Sequence, residues 1–102
     1  MNTMTAAKAV RGAAADCAEL ENRRRENILA PSILAADFNR LGDEIDAVTS
    51  AGARYLHIDV MDGMFVPSIS FGMPVIQAIR SGRDCFFDVH LMVEQPERYI
   101  NE

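Results

Sequence analysis

Positive charge is scarce in this chain and nowhere concentrated. Ten lysines and arginines stand against fifteen aspartates and glutamates, a formal net charge of -5. No basic stripe exists to neutralise phosphates, which argues against nucleic acid as a default partner. The run Arg23-Arg24-Arg25 is flanked by Glu21 and Glu26 and reads as a solvated face. Long apolar runs are also missing. None approaches the roughly 20 residues of a membrane-spanning helix, and the N-terminus lacks the apolar centre of a secretory signal. No membrane partner is expected. The Ala-rich, Arg-containing start suggests an organelle transit peptide, but Asp16, Glu19 and Glu21 weaken that reading. Only two cysteines occur, Cys17 and Cys85, without metal-type spacing. They read as free thiols in a reducing cytoplasm.

What is present fits a soluble globular protein, with 49% hydrophobic and 25% charged residues. At 102 residues the chain forms one domain at most, with a modest core. Residues 1–27 are Ala-rich and polar, and Val10 and Leu20 are nearly their only large apolar side chains. They read as an N-terminal extension, flexible or loosely helical. The folded portion is expected over 28–102.

That portion is organised around Leu56-His57-Ile58-Asp59-Val60-Met61-Asp62-Gly63. As a strand it puts Leu56, Ile58 and Val60 on one face and Tyr55, His57, Asp59 and Met61 on the other. Phe86 to Met92 repeats the division: Phe87, Val89 and Leu91 on one side, Asp88, His90 and Met92 on the other. Two strands with the same arrangement predict a shared cavity lined by His57, Asp59 and His90. Each histidine alone reads more simply as a satisfied core residue. Their placement on like faces of independent strands reverses that reading.

The remaining pattern supplies helices between strands. Ile28 to Leu34 is a short apolar run expected to form a buried strand, with Ser32 on the face of Ile28, Ala30 and Leu34. Asp37 is an expected N-cap. Phe38, Leu41, Ile45 and Val48 then form an amphipathic stripe ended by Gly52. After a loop from Met64 to Gly72, Pro74 suits the first turn of a helix closed by Gly82. Gln95-Pro96-Glu97 is expected to open a third helix. The order β-α-β-α-β-α predicts a parallel α/β sheet. A doubly wound sheet would bury both strand faces, whereas Asp and His on one face suit the mouth of a (β/α)8 TIM barrel. Such a barrel takes about 250 residues, so this chain would hold its first three βα units.

With these residues in view, the chain resembles the ribulose-phosphate 3-epimerase family. The matching text is Ala30-Pro31-Ser32-Ile33-Leu34-Ala35-Ala36-Asp37-Phe38, then Gly52-Ala53 through the organising strand to Asp62-Gly63-Met64-Phe65-Val66-Pro67. Asp88-Val89-His90-Leu91-Met92-Val93 and Pro96-Glu97-Arg98-Tyr99 continue it. The similarity covers roughly residues 28–102. It implies a cytoplasmic, metal-dependent epimerase of the pentose phosphate pathway. That enzyme interconverts D-ribulose 5-phosphate and D-xylulose 5-phosphate through an enediolate. The resemblance assigns His57, Asp59 and His90 as ligands of one divalent ion (Zn, Fe, Mn or Co). Asp59 would also be a catalytic acid/base. Ser32, His57, Met61, His90 and Met92 would bind substrate, a phosphorylated ketopentose.

Blander readings stand beside these: Met61 and Met92 as core filling, Ser32 as a backbone hydrogen-bonding residue, Asp62-Gly63 as a turn with positive φ at Gly63. Met64 stands where the family usually has His, and Ser68 where Asn is usual. A fourth ligand, which is the opposing acid/base carboxylate, and the phosphate-binding Gly-rich loops belong to later strands outside this chain. The full-length form is expected to be a homo-oligomer and the fragment alone inactive. Alternatives are an epimerase of a six-carbon ketose phosphate such as allulose 6-phosphate, or a non-catalytic truncated product. A related barrel lyase or decarboxylase is disfavoured, since those carry a Lys-containing acidic motif and Lys8 is the one lysine here.

Overall fold

The computed structural model describes residues 27–102. The expected N-terminal extension, Cys17 and the Arg23-Arg24-Arg25 run lie outside the described residues. The described part is α/β, built on two parallel strands, β1 (Tyr55–Met61) and β2 (Phe86–Met92). Helix α1 (Leu41–Ser50) precedes β1, and α2 (Met73–Arg80) connects the two strands. The two strands run residue for residue, from Tyr55 opposite Phe86 to Met61 opposite Met92.

The period-2 alternation forms β1 as expected. Leu56, Ile58 and Val60 are buried and join Ile33, Ile45, Ile79 and Val93 in one core. Each fully buried aliphatic side chain contributes about 1.5–3 kcal/mol of transfer free energy. Ile45 is the buried centre of the α1 stripe, with Leu41 and Val48 half-buried beside it. Phe38 leans out and meets Phe71 edge-on, ring centroids 5.7 Å apart. The core face of α2 is anchored by Ile79. Arg83 binds the two helices together: its guanidinium donates to Asp46 Oδ1 at 2.9 Å, the Ile79 carbonyl at 3.0 Å and the Gly42 carbonyl at 3.2 Å.

Turn chemistry follows the sequence at the points that matter. Gly52 has φ 111°, Gly63 φ 79° and Gly82 φ 75°, left-handed conformations in which a Cβ is strained. Pro74 lies in the first turn of α2, where its missing N–H costs nothing.

Three elements differ from expectation. Ile28 to Leu34 is not a regular strand. It contributes one parallel bridge, Ser32 beside His57, in which the His57 N–H donates to the Pro31 carbonyl at 2.9 Å. Pro31 has no N–H to extend a ladder. The Ser32 hydroxyl accepts from the Leu34 N–H at 3.2 Å and caps a 3-10 turn over Ile33–Ala35. The side chain thus competes with the sheet for the backbone, and Ile33 is buried while Leu34 is exposed. Asp37 caps a second 3-10 turn, Phe38–Arg40, and α1 begins only after it. The third expected helix is a single 3-10 turn, Pro96–Arg98, entered through Gln95 at φ 54°. The Arg98 N–H bonds the Gln95 carbonyl at 3.1 Å and the Tyr99 N–H the Pro96 carbonyl at 3.0 Å, i→i+3 bonds that form a 3-10 turn in place of an α-helix.

The apolar face of β2 is less covered than that of β1. Phe87 and Leu91 are half-buried and Val89 is 43% exposed. With Met73, Ile76 and Tyr99 they line an open groove of about 620 Å³. Among the described residues, no helix is long and apolar enough to cross a membrane.

Candidate functional site: two imidazoles around a shared carboxylate

The register of β1 against β2 builds the site. His57 lies opposite Asp88 and Asp59 opposite His90, so imidazoles and carboxylates alternate in a two-by-two array on one face of the sheet. The next same-face pair is Met61 opposite Met92, both half-buried. The groove described above borders the Phe87, Val89 and Leu91 face of β2, opposite the face that carries these groups.

Asp59 is the focus. It is the one buried charged residue among those described. Its Oδ1 lies 3.0 Å from His57 Nε2 and 3.3 Å from His90 Nδ1. Its Oδ2 accepts from the Ser32 hydroxyl at 2.8 Å. Burial pushes the Asp59 carboxyl up, but the Ser32 hydroxyl and the two imidazoles outweigh that and hold it below its ordinary value. His57 also meets Asp88, with Nδ1 2.8 Å from Oδ2. That hydrogen bond leads in raising the His57 pKa; burial opposes it and the Asp59 charge adds to it.

His57, Asp59 and His90 each offer one ligand atom, and these atoms all lie within 4.8 Å of one another. Two nitrogens and one oxygen make a mixed donor set of the kind that holds Zn²⁺ and neighbouring divalent ions. Ligands roughly 2.1 Å from a common ion in tetrahedral array are themselves roughly 3.4 Å apart, and the Asp59-to-imidazole distances of 3.0 and 3.3 Å lie near that. The donor set fits a divalent cation.

Of the residues singled out in the sequence, His57, Asp59 and His90 are brought together, and Ser32 reaches Asp59 from the bridged segment. Asp62 and Ser70 support the site as well, in roles that the sequence pattern does not mark. Asp62 with Gly63 has the sequence of a turn. Its Oδ1 accepts from the N–H groups of Met64 at 2.9 Å and Phe65 at 3.2 Å, and its Oδ2 from the Glu94 N–H at 2.9 Å. It therefore joins the loops that leave both strands. Those N–H groups, Glu94 first, hold the Asp62 carboxyl below its ordinary value. Ser70 donates to the Asp59 carbonyl at 2.7 Å and accepts from the Met61 N–H at 2.9 Å, pinning the returning loop to the end of β1. An Asp followed by Gly carries a visible turn signal; nothing local in the sequence marks the partner 32 residues away.

Residues 28–102 match the Ribulose-phosphate 3 epimerase family. Among similar proteins, a ribulose-phosphate 3-epimerase of Synechocystis is 53% identical over 75 residues, covering 74% of this chain and 33% of the relative. One from Bacillus subtilis is 56% identical over 72 residues, covering 71% of this chain and 33% of its own length. The chloroplastic ribulose-5-phosphate-3-epimerase of Arabidopsis thaliana is 48% identical over 73 residues, 72% of this chain and 26% of that protein. The chain thus spans about a third or less of these curated relatives. The match runs through every residue of the carboxylate–imidazole array, and the chain belongs to the ribulose-phosphate 3-epimerase family.

Proposed function

We propose that these residues form the first part of a (β/α)8 barrel whose strand ends carry a metal-dependent epimerase site for ribulose 5-phosphate and xylulose 5-phosphate. The observation that carries this reading is the Asp59 carboxylate held between His57 and His90, within a chain of this family. His57, Asp59 and His90 are the proposed ligands of one divalent ion. When bound, such an ion supplies Lewis-acid stabilisation of negative charge on a substrate oxygen, several kcal/mol in comparable sites.

The chain's own residues do the remainder. Epimerisation beside a ketone removes a proton from one face of the carbon and returns one to the other through an enediolate. Asp59 is the acid/base on one face. Its low proton affinity suits a substrate C–H that is itself acidified. The Ser32 hydroxyl, 2.8 Å from Oδ2, fixes the carboxylate's orientation and offers its oxygen to substrate hydroxyls. Met61 and Met92, side by side beyond the ligands, wall the reacting carbon. They exclude water without offering a competing proton. The opposing acid/base and the phosphate cradle belong to later strands of the barrel. A polypeptide of these 102 residues alone therefore lacks turnover. The uncovered groove along β2 is where further barrel segments pack, and the complete protein assembles as a homo-oligomer.

The test is an assay of the complete reading frame on ribulose 5-phosphate, with and without a chelator. Turnover that is lost on chelation and restored by a divalent ion is expected. Chelator-insensitive turnover would contradict the metal reading, and activity confined to allulose 6-phosphate would overturn the substrate.

A further inference from the structure

We infer that Asp88 is a positioning residue that selects which nitrogen of His57 faces the metal. The inference rests on the metal reading above and deepens it. A carboxylate only accepts hydrogen bonds, so the 2.8 Å contact requires the proton on His57 Nδ1. In the neutral ring Nε2 then carries a lone pair, and it is aimed at Asp59 Oδ1, 3.0 Å away. A lone pair and a carboxylate oxygen at that distance repel unless positive charge lies between them, from a proton or from a cation that both ligate. Asp88 thereby presents His57 as a ligand through Nε2, and its negative charge raises the ring's basicity.

The geometry excludes two simpler roles. Asp88 approaches the nitrogen of His57 farther from Asp59, so it is not a fourth ligand of the same ion. Its side chain is 55% exposed, so it is not a core residue whose loss would unfold the sheet. The register that sets Asp88 opposite His57 also sets Asp59 opposite His90. A single strand pairing therefore positions both a ligand and the group that orients its neighbour. His90 has no equivalent: it uses Nδ1 toward Asp59, and no carboxylate stands behind it among the hydrogen bonds of the described residues. The two imidazoles are thus unequal, and the inference predicts an unequal response.

The experiment is Co²⁺ titration of the full chain as wild type, Asp88→Asn and Asp88→Ala, with thermal unfolding as a control. Asp88→Asn keeps the shape and a neutral acceptor, and about a 10-fold loss of Co²⁺ affinity is expected. Asp88→Ala leaves only water at Nδ1, and a loss approaching 100-fold is expected. Long-range ¹H–¹⁵N spectra of the Zn²⁺-saturated protein give an independent readout. The His57 Nδ1 proton is expected to be visible in wild type and lost to solvent exchange in Asp88→Ala. Wild-type affinity in both variants, or a retained Nδ1 proton in Asp88→Ala, would overturn the role of Asp88. Wild-type protein that takes up no Co²⁺ would instead overturn the metal reading, and this inference with it.

Discussion

β1 and β2 carry the same pattern of residues and live in different surroundings. Each presents an Asp and a His two residues apart on one face and three large apolar residues on the other. In β1 the apolar face is sealed by α1, α2 and Ile33, and Asp59 is buried. In β2 the middle of the strand is exposed on both faces, from Asp88 through His90. The difference is positional: β1 is flanked on one edge by β2 and bridged on the other by Ser32, whereas β2 is paired only with β1 among the described residues. Identical patterning therefore yields two kinds of carboxylate. Asp59 sits at the centre of the site with three polar partners, and Asp88 stands behind an imidazole with solvent beside it.

The largest expected effect comes from making β1 resemble a strand without its carboxylate. In the complete protein, Asp59→Asn removes the proposed ligand and the proposed acid/base group together, and turnover of ribulose 5-phosphate should fall by at least about 10³-fold. Circular dichroism should show the fold retained. Activity equal to wild type would erase the distinction drawn between the two carboxylates.

Core truncation should divide the strands next. Ile58 is fully buried, so Ile58→Ala should cost about 2–5 kcal/mol, the range for large-to-small changes in cores. Val89 is 43% exposed, and Val89→Ala should cost less than about 1 kcal/mol while its face stays open. Denaturant midpoints of the 102-residue chain measure both. Equal losses would mean that β2 is covered in solution, and repeating the pair in the complete protein would show whether the groove is closed there.

The smallest effect concerns the loops that leave the two strands. Asp62 has its proton affinity lowered by backbone N–H groups from both loops. The unfolded chain binds that proton more readily than the native one. The stabilisation is therefore present above the ordinary Asp value of 3.8 and is lost as pH falls through the lower native value. Asp62→Asn should flatten the acid limb of the stability profile in that window and leave the neutral region nearly unchanged in slope. An acid limb identical to wild type would show that Asp62 does not link the loops.

How much of this was legible in the sequence depended on the range of the interaction. The alternation in Leu56 to Met61 and Phe86 to Met92 is set by a period of two, and both strands form where it is strongest. His57, Asp59 and His90 were readable as a group because strand register turns equal faces into neighbours. Ile28 to Leu34 had the hydrophobicity of a strand, but Pro31 and the Ser32 hydroxyl turned the backbone to local bonding. Hydropathy does not register that competition. Ser70 and the Asp62 contact with Glu94 depend on how loops fold back, and neither has a periodic signal.

The most direct measurement is the anomalous scattering of a crystal of the full chain soaked in Co²⁺ or Mn²⁺. One peak is predicted, roughly 2.0–2.2 Å from His57 Nε2, Asp59 Oδ1 and His90 Nδ1. A peak elsewhere, or those three side chains turned apart around empty density at saturating metal, would contradict the account.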